Sequence, residues 1–351
     1  MLKVRREMIE GVRQAVRKED LYPYLQSAVE LEHATIPPYL TAMFSLKAGT
    51  NEEIRQLIQS IVVEEMLHMT ISANTLVAIG GSPQINTPGF IPKYPGPLPC
   101  GIGGPDFIVP IERFSLPLVH DIFMVIEEPE DPIPVKTSLL GEDDSNTIGA
   151  FYKAIQEKII ELGNGIFVPG SEKRQVQKWF GQENLFPITD VASAVKAIEV
   201  VVIEGEGTST DPFQSPGDPA HYYKFGEIYH GKKIIPTPDG GYAYAGAPVP
   251  FDESGVYPIR GNAHIADYKP DTQARVRVER YAYSYSSLLN ALHKSFNGDP
   301  DNIDVAIGLM YELKVQAVSL MSTELDDGSG MTAGPSYEYV NVQGGMGPAG
   351  D

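Results

Sequence analysis

VVEEMLHMTISAN, residues 62–74, sets two glutamates and a histidine in a run whose other members read as buried helix. Burying an unpaired carboxylate costs several kcal/mol or forces it to take up a proton, so a sequence that keeps such groups supplies them with a partner. Glu65 and His68 are three residues apart and project from one helical face about a turn apart. Both fall on the inward stripe Ile54, Ile58, Ile61, Glu65, His68, Ser72 and Ile79. Glu64, four residues before His68, lies beside that stripe and is expected to face solvent or a supporting partner. Taken alone, the pair is better explained by a salt-bridged glutamate and a hydrogen-bonded core histidine, because short motifs recur by chance.

The preceding helix changes that balance. A helical pattern starts after Asp20, read as its N-cap, and runs to about Lys47 with the apolar stripe Leu25, Ala28, Ile36, Tyr39 and Met43. Glu32 lies on this stripe, whereas Glu30 lies about 200° around the helix and cannot share its face. Pro37 and Pro38 leave the carbonyls of His33 and Ala34 without their helical donors, so a kink is expected there. Thr50-Asn51-Glu52-Glu53 reads as a capping box opening the second helix, which Gly80-Gly81 and Pro83 end. One inward acid facing an acid–histidine pair is half of the ligand set that carboxylate-bridged two-metal helical bundles use. Two cations in such a bundle need several anionic oxygens and two neutral imidazoles.

The second half of such a set should lie further along the chain. Residues 189–206 contain AIEVVVIEGEG, apolar on nearly all sides as in a central helix, with Glu199, Glu204 and Glu206 as candidates. Glu199 and Glu206 share a face with Val195 and Val202, Glu204 points elsewhere, and a frayed, exposed end between Gly205 and Gly207 explains the last two acids equally well. The helix at 219–230 offers Asp218-Pro-Ala-His221 and Glu227-Ile-Tyr-His230. These histidines are nine residues and hence about 180° apart, so at most one faces the interior. His221 shares a face with Phe225 and Ile228, while His230 sits in a last turn where the helix dipole favours it without any metal. Asp218 before Pro219 also reads as an ordinary N-cap.

Between and after these helices the chain is irregular. Residues 82–118 are rich in Pro and Gly, part of an insertion over about 82–145, and 231–268 form a second insertion with a hairpin expected at Asp239-Gly240-Gly241. A further helix is expected at about 145–162, two more at 272–296 and 303–323, and then a Gly-rich tail. The fold class that follows is mainly α: a four-helix bundle with long insertions and additional C-terminal helices, read as one domain over 1–351.

LEHATIPPYLTAMFS, EEMLHMTISANTLVAIGGSP, IEGEGTS and AHYYKFGEIYHG, in that order, resemble the ferritin-like family that includes the iminophenyl-pyruvate dimer synthases of violacein-type pathways. The resemblance covers roughly residues 20–325 and includes AGPSYEY in the tail. It implies a ferritin-like bundle and, by position, Glu32, Glu65 and His68 as metal ligands of one half and Glu206, Asp218 and His221 of the other. Two departures stand out: Glu204-Gly205-Glu206-Gly207 replaces the family's Gln-Gly-Glu-Gly, and the shorter Asp218 replaces a glutamate, which bears on the second metal position. Members related to the violacein enzyme couple two amino-acid-derived imines oxidatively.

The expected cofactor is therefore two iron ions, with manganese or zinc as substitutes, and the expected partners are a small organic substrate and dioxygen or peroxide. An iron-storing ferroxidase and a metal-free structural bundle are the alternatives; the large share of chain outside the bundle speaks against a storage cage. With 27 basic and 46 acidic residues the net charge is −19, which disfavours nucleic acid and anionic membranes as partners. No window approaches a membrane span. One cysteine, Cys100, allows no intrachain disulfide, and a cytoplasmic location and a possible homo-oligomer are expected. The basic, amphipathic start leaves a transit peptide as an alternative, which Glu7 and Glu10 only weaken. His33, His120, His264, His293 and the tyrosines of RYAYSYSS are expected to pack or face solvent.

Overall fold

The computed structural model describes residues 4–129, 133, 147–206 and 211–342, with the side chain of Glu206 outside the description. It is mostly helical. Helix α1 (Arg6–Gln14) buries Ile9 and Val12, and α2 (Lys18–Phe44) and α3 (Glu52–Ala78) form the most extensively packed pair of long helices. Asp20 does not precede α2 but sits in its first turn, where its carboxylate accepts the backbone N–H groups of Val16 and Arg17 at 3.1 and 3.0 Å. The helix runs on through Pro23, Pro37 and Pro38. The carbonyl of Ala34, deprived of its donor by Pro38, accepts the hydroxyl of Tyr94 at 2.7 Å, so the loss is made good from outside the helix.

The capping box expected at Thr50 does not form. Asn51 takes a left-handed conformation (φ 51°) and caps nothing with its side chain; instead its amide bonds the backbone of Asp252 in both directions, at 2.9 and 2.7 Å. The start of α3 is thus tied to the second insertion rather than closed locally.

The first insertion carries a helical segment that periodicity did not signal: α4 (Leu116–Leu118), a π turn (Val119–Phe123) and α5 (Met124–Ile126). Helices α6 (Ile148–Leu162) and α7 (Val191–Glu206) follow, α6 against α1 and α7, and α7 against α3. A two-stranded piece, β1 (Phe213–Ser215) with β2 (Asp218–Pro219), precedes α8 (His221–His230). Pro219 therefore pairs in a strand instead of opening the helix, which starts two residues later than expected. The hairpin of β3 (Lys232–Pro236) and β4 (Tyr242–Pro248) turns at Asp239-Gly240-Gly241, with Gly240 at φ +82°.

Helices α9 (Gln273–Phe296) and α10 (Ile303–Met321) pack on each other and contact α3 and α2 respectively. The α2–α3 pair is therefore covered on two sides, by α7 and α8 on one and by α9 and α10 on the other. No helix of the described residues is long and apolar enough to cross a membrane.

Candidate metal centre

Where α2, α3, α5, α7 and α8 converge, charged groups gather in an apolar interior. Glu32 (α2), Glu65 and His68 (α3) and His221 (the first residue of α8) are each 6% exposed or less. Glu127, immediately after α5, completes the cluster. Ligand-capable atoms of Glu32, Glu65 and His68 lie within 4.8 Å of one another, and so do those of Glu65, Glu127 and His221, so that Glu65 is common to both groups. The two imidazole rings stack at 5.4 Å between centroids.

Both histidines are oriented the same way. Nε2 of His68 lies 2.9 Å from Glu204, and Nε2 of His221 lies 2.9 Å from Glu64. Because an ionised carboxylate only accepts, each Nε2 is the donor, and in the neutral ring this leaves the Nδ1 lone pair facing the cluster. His68 Nδ1 is 3.6 Å from Glu32 and 3.9 Å from Glu65. His221 Nδ1 is 2.9 Å from Glu65 and 3.4 Å from Glu127, yet among the described residues no hydrogen bond to it is aligned. An orphaned, buried nitrogen among carboxylate oxygens fits a cation ligand better than a donor.

The carboxylates are held from outside in turn. Thr35 donates to Glu65 at 2.6 Å, Tyr152 to Glu32 and Tyr39 to Glu127. Glu64 accepts from Lys224 at 2.9 and 2.8 Å and from Gln214 at 3.1 Å, while Asn184 donates to the free oxygen of Glu204 at 3.0 Å. Burial and the neighbouring Glu127 push Glu65 up to about 7, whereas His221 and Lys224 overcome the opposing effect of burial and hold Glu64 down at about 2. Burial alone would lower His68, but its bonds to Glu204 and Glu32 raise it to about 10. Without a cation, then, protons on the imidazoles and on Glu65 must offset the carboxylates. A cavity of about 50 Å³ adjoins the cluster, bounded by Glu32, Glu65, His68, Glu127, Tyr152 and Val201. That is room for a few water-sized ligands, each needing about 10–15 Å³.

Of the residues singled out from the sequence, Glu32, Glu65, His68 and His221 are brought together, and Glu206 has a side chain outside the described residues. Asp218 is not part of the cluster. It is 44% exposed and bound to Lys224 at 3.0 Å and Gln214 at 2.8 Å, because β2 carries it away from the helix it was expected to cap. Glu204, expected to point elsewhere, is buried and anchors His68, whereas Glu199 is exposed. On a helix apolar nearly all round, periodicity selects no face. Glu127 was missed because it follows a π turn inside a Pro- and Gly-rich stretch, where no regular period places it; the only sign was an acid ending the apolar run IFMVI. The literal match Glu227–His230 serves the hairpin instead, with Glu227 accepting from Ile234 N and Lys233 and His230 stacked on Tyr244.

The sequence model of the Ferritin-like family matches residues 25–230, more than half of the chain and the span that contains every member of the cluster. The chain belongs to the ferritin-like family. A solved ferritin-like protein from Caulobacter vibrioides superposes with a TM-score of 0.59 over 91% of this chain and 97% of that one, at 21% identity, a likeness that carries the fold. Dichlorochromopyrrolate synthase of Lentzea aerocolonigenes is 24% identical over an alignment covering 92% of this chain and 36% of the relative. This ferritin-like chain thus spans little more than a third of that relative's length.

Proposed function

We propose that the chain is a two-metal, non-haem oxidative enzyme that binds iron between α2, α3, α5 and α8 and uses dioxygen or peroxide on a small organic substrate. The observation that carries this is the convergence of two Nδ1 atoms and three glutamates on one buried point, each imidazole fixed from behind by a carboxylate. The residues that would hold the metal are Glu32, Glu65 and His68 at one position and Glu65, Glu127 and His221 at the other, Glu65 being common to both. This replaces Asp218 of the sequence reading by Glu127. Against two divalent cations the three carboxylates would leave a small positive excess. Bound iron would supply the redox chemistry.

The chain's own groups set the geometry around it. Tyr39 and Tyr152 fix one oxygen each of Glu127 and Glu32 and so decide which oxygen remains for a cation, and Thr35 does the same for Glu65. Ile126, Ile148, Val201 and Val202 border the cavity and keep it poor in water. The likeness to dichlorochromopyrrolate synthase and to imine-coupling members of the family supports an amino-acid-derived imine as substrate. Joining two such molecules removes two electrons and two protons, which reduce dioxygen to hydrogen peroxide or peroxide to water.

The test is metal analysis of protein purified from iron-supplemented cells, followed by oxygen uptake with an imine generated in place by an amino-acid oxidase. Two ions per chain are expected, with loss of both in Glu65→Ala and of one in His221→Ala. A chain that retains no metal ends the proposal, and large mineral cores on aerobic iron addition would favour storage instead.

A further inference from the structure

The α2–α3 pair has a second functional face. Glu32 points to the acidic cluster, but His33, one residue and about 100° further round, lines a separate cavity of about 300 Å³ between α2, α3, α9 and α10. Its walls are apolar and soft: Met43, Met66, Met69 and Met310 with Tyr285 and Phe296. Methionines adapt to irregular guests and make favourable contacts with aromatic rings. The cavity opens at a rim formed by Trp179 and Tyr311, 54% and 67% exposed.

Two details set this cavity apart from a packing fault. His33 is buried, with Nε2 bonded to the Tyr285 hydroxyl at 2.6 Å, and among the described residues its Nδ1 has no hydrogen-bond partner. A buried polar atom left without a partner is rare and calls for one. Trp179, the chain's single tryptophan, is held at φ +78°, a left-handed conformation that bulky residues avoid, with its indole N–H bonded to Asp304 at 2.8 Å. The strain fixes an aromatic plate at the mouth of the cavity.

We propose that this cavity is a binding site for an uncharged aromatic molecule carrying one hydroxyl, bound with its ring among the methionines and its hydroxyl on His33 Nδ1. A hydroxyl satisfies either tautomer of His33: it donates if Nε2–H is given to Tyr285, and accepts if Tyr285 is the donor. The mostly apolar lining would leave a charged ligand without compensation for its lost hydration, so the fitting guest is uncharged. The volume falls at the lower end of the range for small-molecule sites. The site is independent of the metal proposal, since it shares no side chain with the cluster.

The experiment is calorimetric titration of the full chain with 2-naphthol, and with naphthalene as the ring lacking the hydroxyl. One 2-naphthol per chain is expected, at least tenfold tighter than naphthalene, with quenching of Trp179 emission that is absent in Trp179→Phe. His33→Leu should bring the two ligands to equal affinity, and Met310→Trp, which fills the cavity from the α10 side, should weaken both at least tenfold while circular dichroism stays unchanged. Should His33→Leu not fold, Met310→Trp decides. Absence of 2-naphthol binding, equal affinities in the unaltered chain, unchanged binding in Met310→Trp, or tighter binding of 1-decanol would each overturn the proposal. So would a dimer, seen by sedimentation, that Met310→Trp dissociates and that excludes 2-naphthol.

Discussion

Glu64 and Glu65 are neighbours in sequence and opposites in chemistry. Glu65 is raised to about 7 by burial and by the carboxylates around it; Glu64 faces His221 and Lys224 and is lowered to about 2. The signs differ accordingly. A carboxyl depressed in the folded state stabilises it above its unfolded value of about 4.5, and that contribution disappears as pH falls through about 2. Urea unfolding of Glu64→Gln should therefore show a loss of about 3 kcal/mol at pH 7 that shrinks as pH falls below 4; a difference independent of pH would show that Glu64 acts through packing alone. Glu65, raised, favours the ion-free fold below about 4.5 and ceases to do so as pH rises through about 7. Protons thus compete with metal at this residue, and iron affinity should fall by about tenfold per pH unit below 7 for each proton displaced. Titration with Fe(II) under anaerobic conditions at pH 7.5 and 5.5 measures it. Glu32, Glu65, His68 and His221 were legible because each interrupts an apolar stripe of known period. Asp218 was misread because a residue before proline suits a strand end as well as a helix cap.

At the scale of elements, two irregularities do what regular helices cannot. The π turn at Val119–Phe123 holds one residue more than an α turn and so sets the angle at which Glu127 enters the cluster. Deleting the exposed Asp121 should restore α geometry, swing Glu127 out by about 100° and reduce bound metal from two ions to one, with helicity by circular dichroism retained. Retention of both ions would show that Glu127 is not a ligand. The second irregularity is Pro37-Pro38 in α2, bridged by Tyr94. Tyr94→Phe should cost about 1–2 kcal/mol in chemical denaturation, the value of a buried carbonyl losing its donor; no loss would mean that another group takes its place. Long helices were readable from apolar spacing. The π turn was not, since it breaks the helical period, nor was the tie between Asn51 and Asp252, which joins residues distant in sequence.

For the whole molecule, the arrangement is of one helical pair serving two cavities. The inner face of α2 and α3 carries acids and imidazoles under α7 and α8, and the outer face carries His33 and methionines under α9 and α10. The bundle and its appended helices followed from the sequence pattern and the family match covers the acidic face, residues 25–230, but not α9 and α10. What composition could not show is that the appended helices enclose space rather than merely shield the bundle. The central claim is that cations stabilise the buried acids, and crystals grown with Fe(II) and measured on both sides of the iron absorption edge test it most directly. Two anomalous peaks are predicted, one among Glu32, Glu65 and His68 and one among Glu65, Glu127 and His221. Iron-saturated crystals without a peak there, with His221 Nδ1 donating to Glu65 instead, would contradict it.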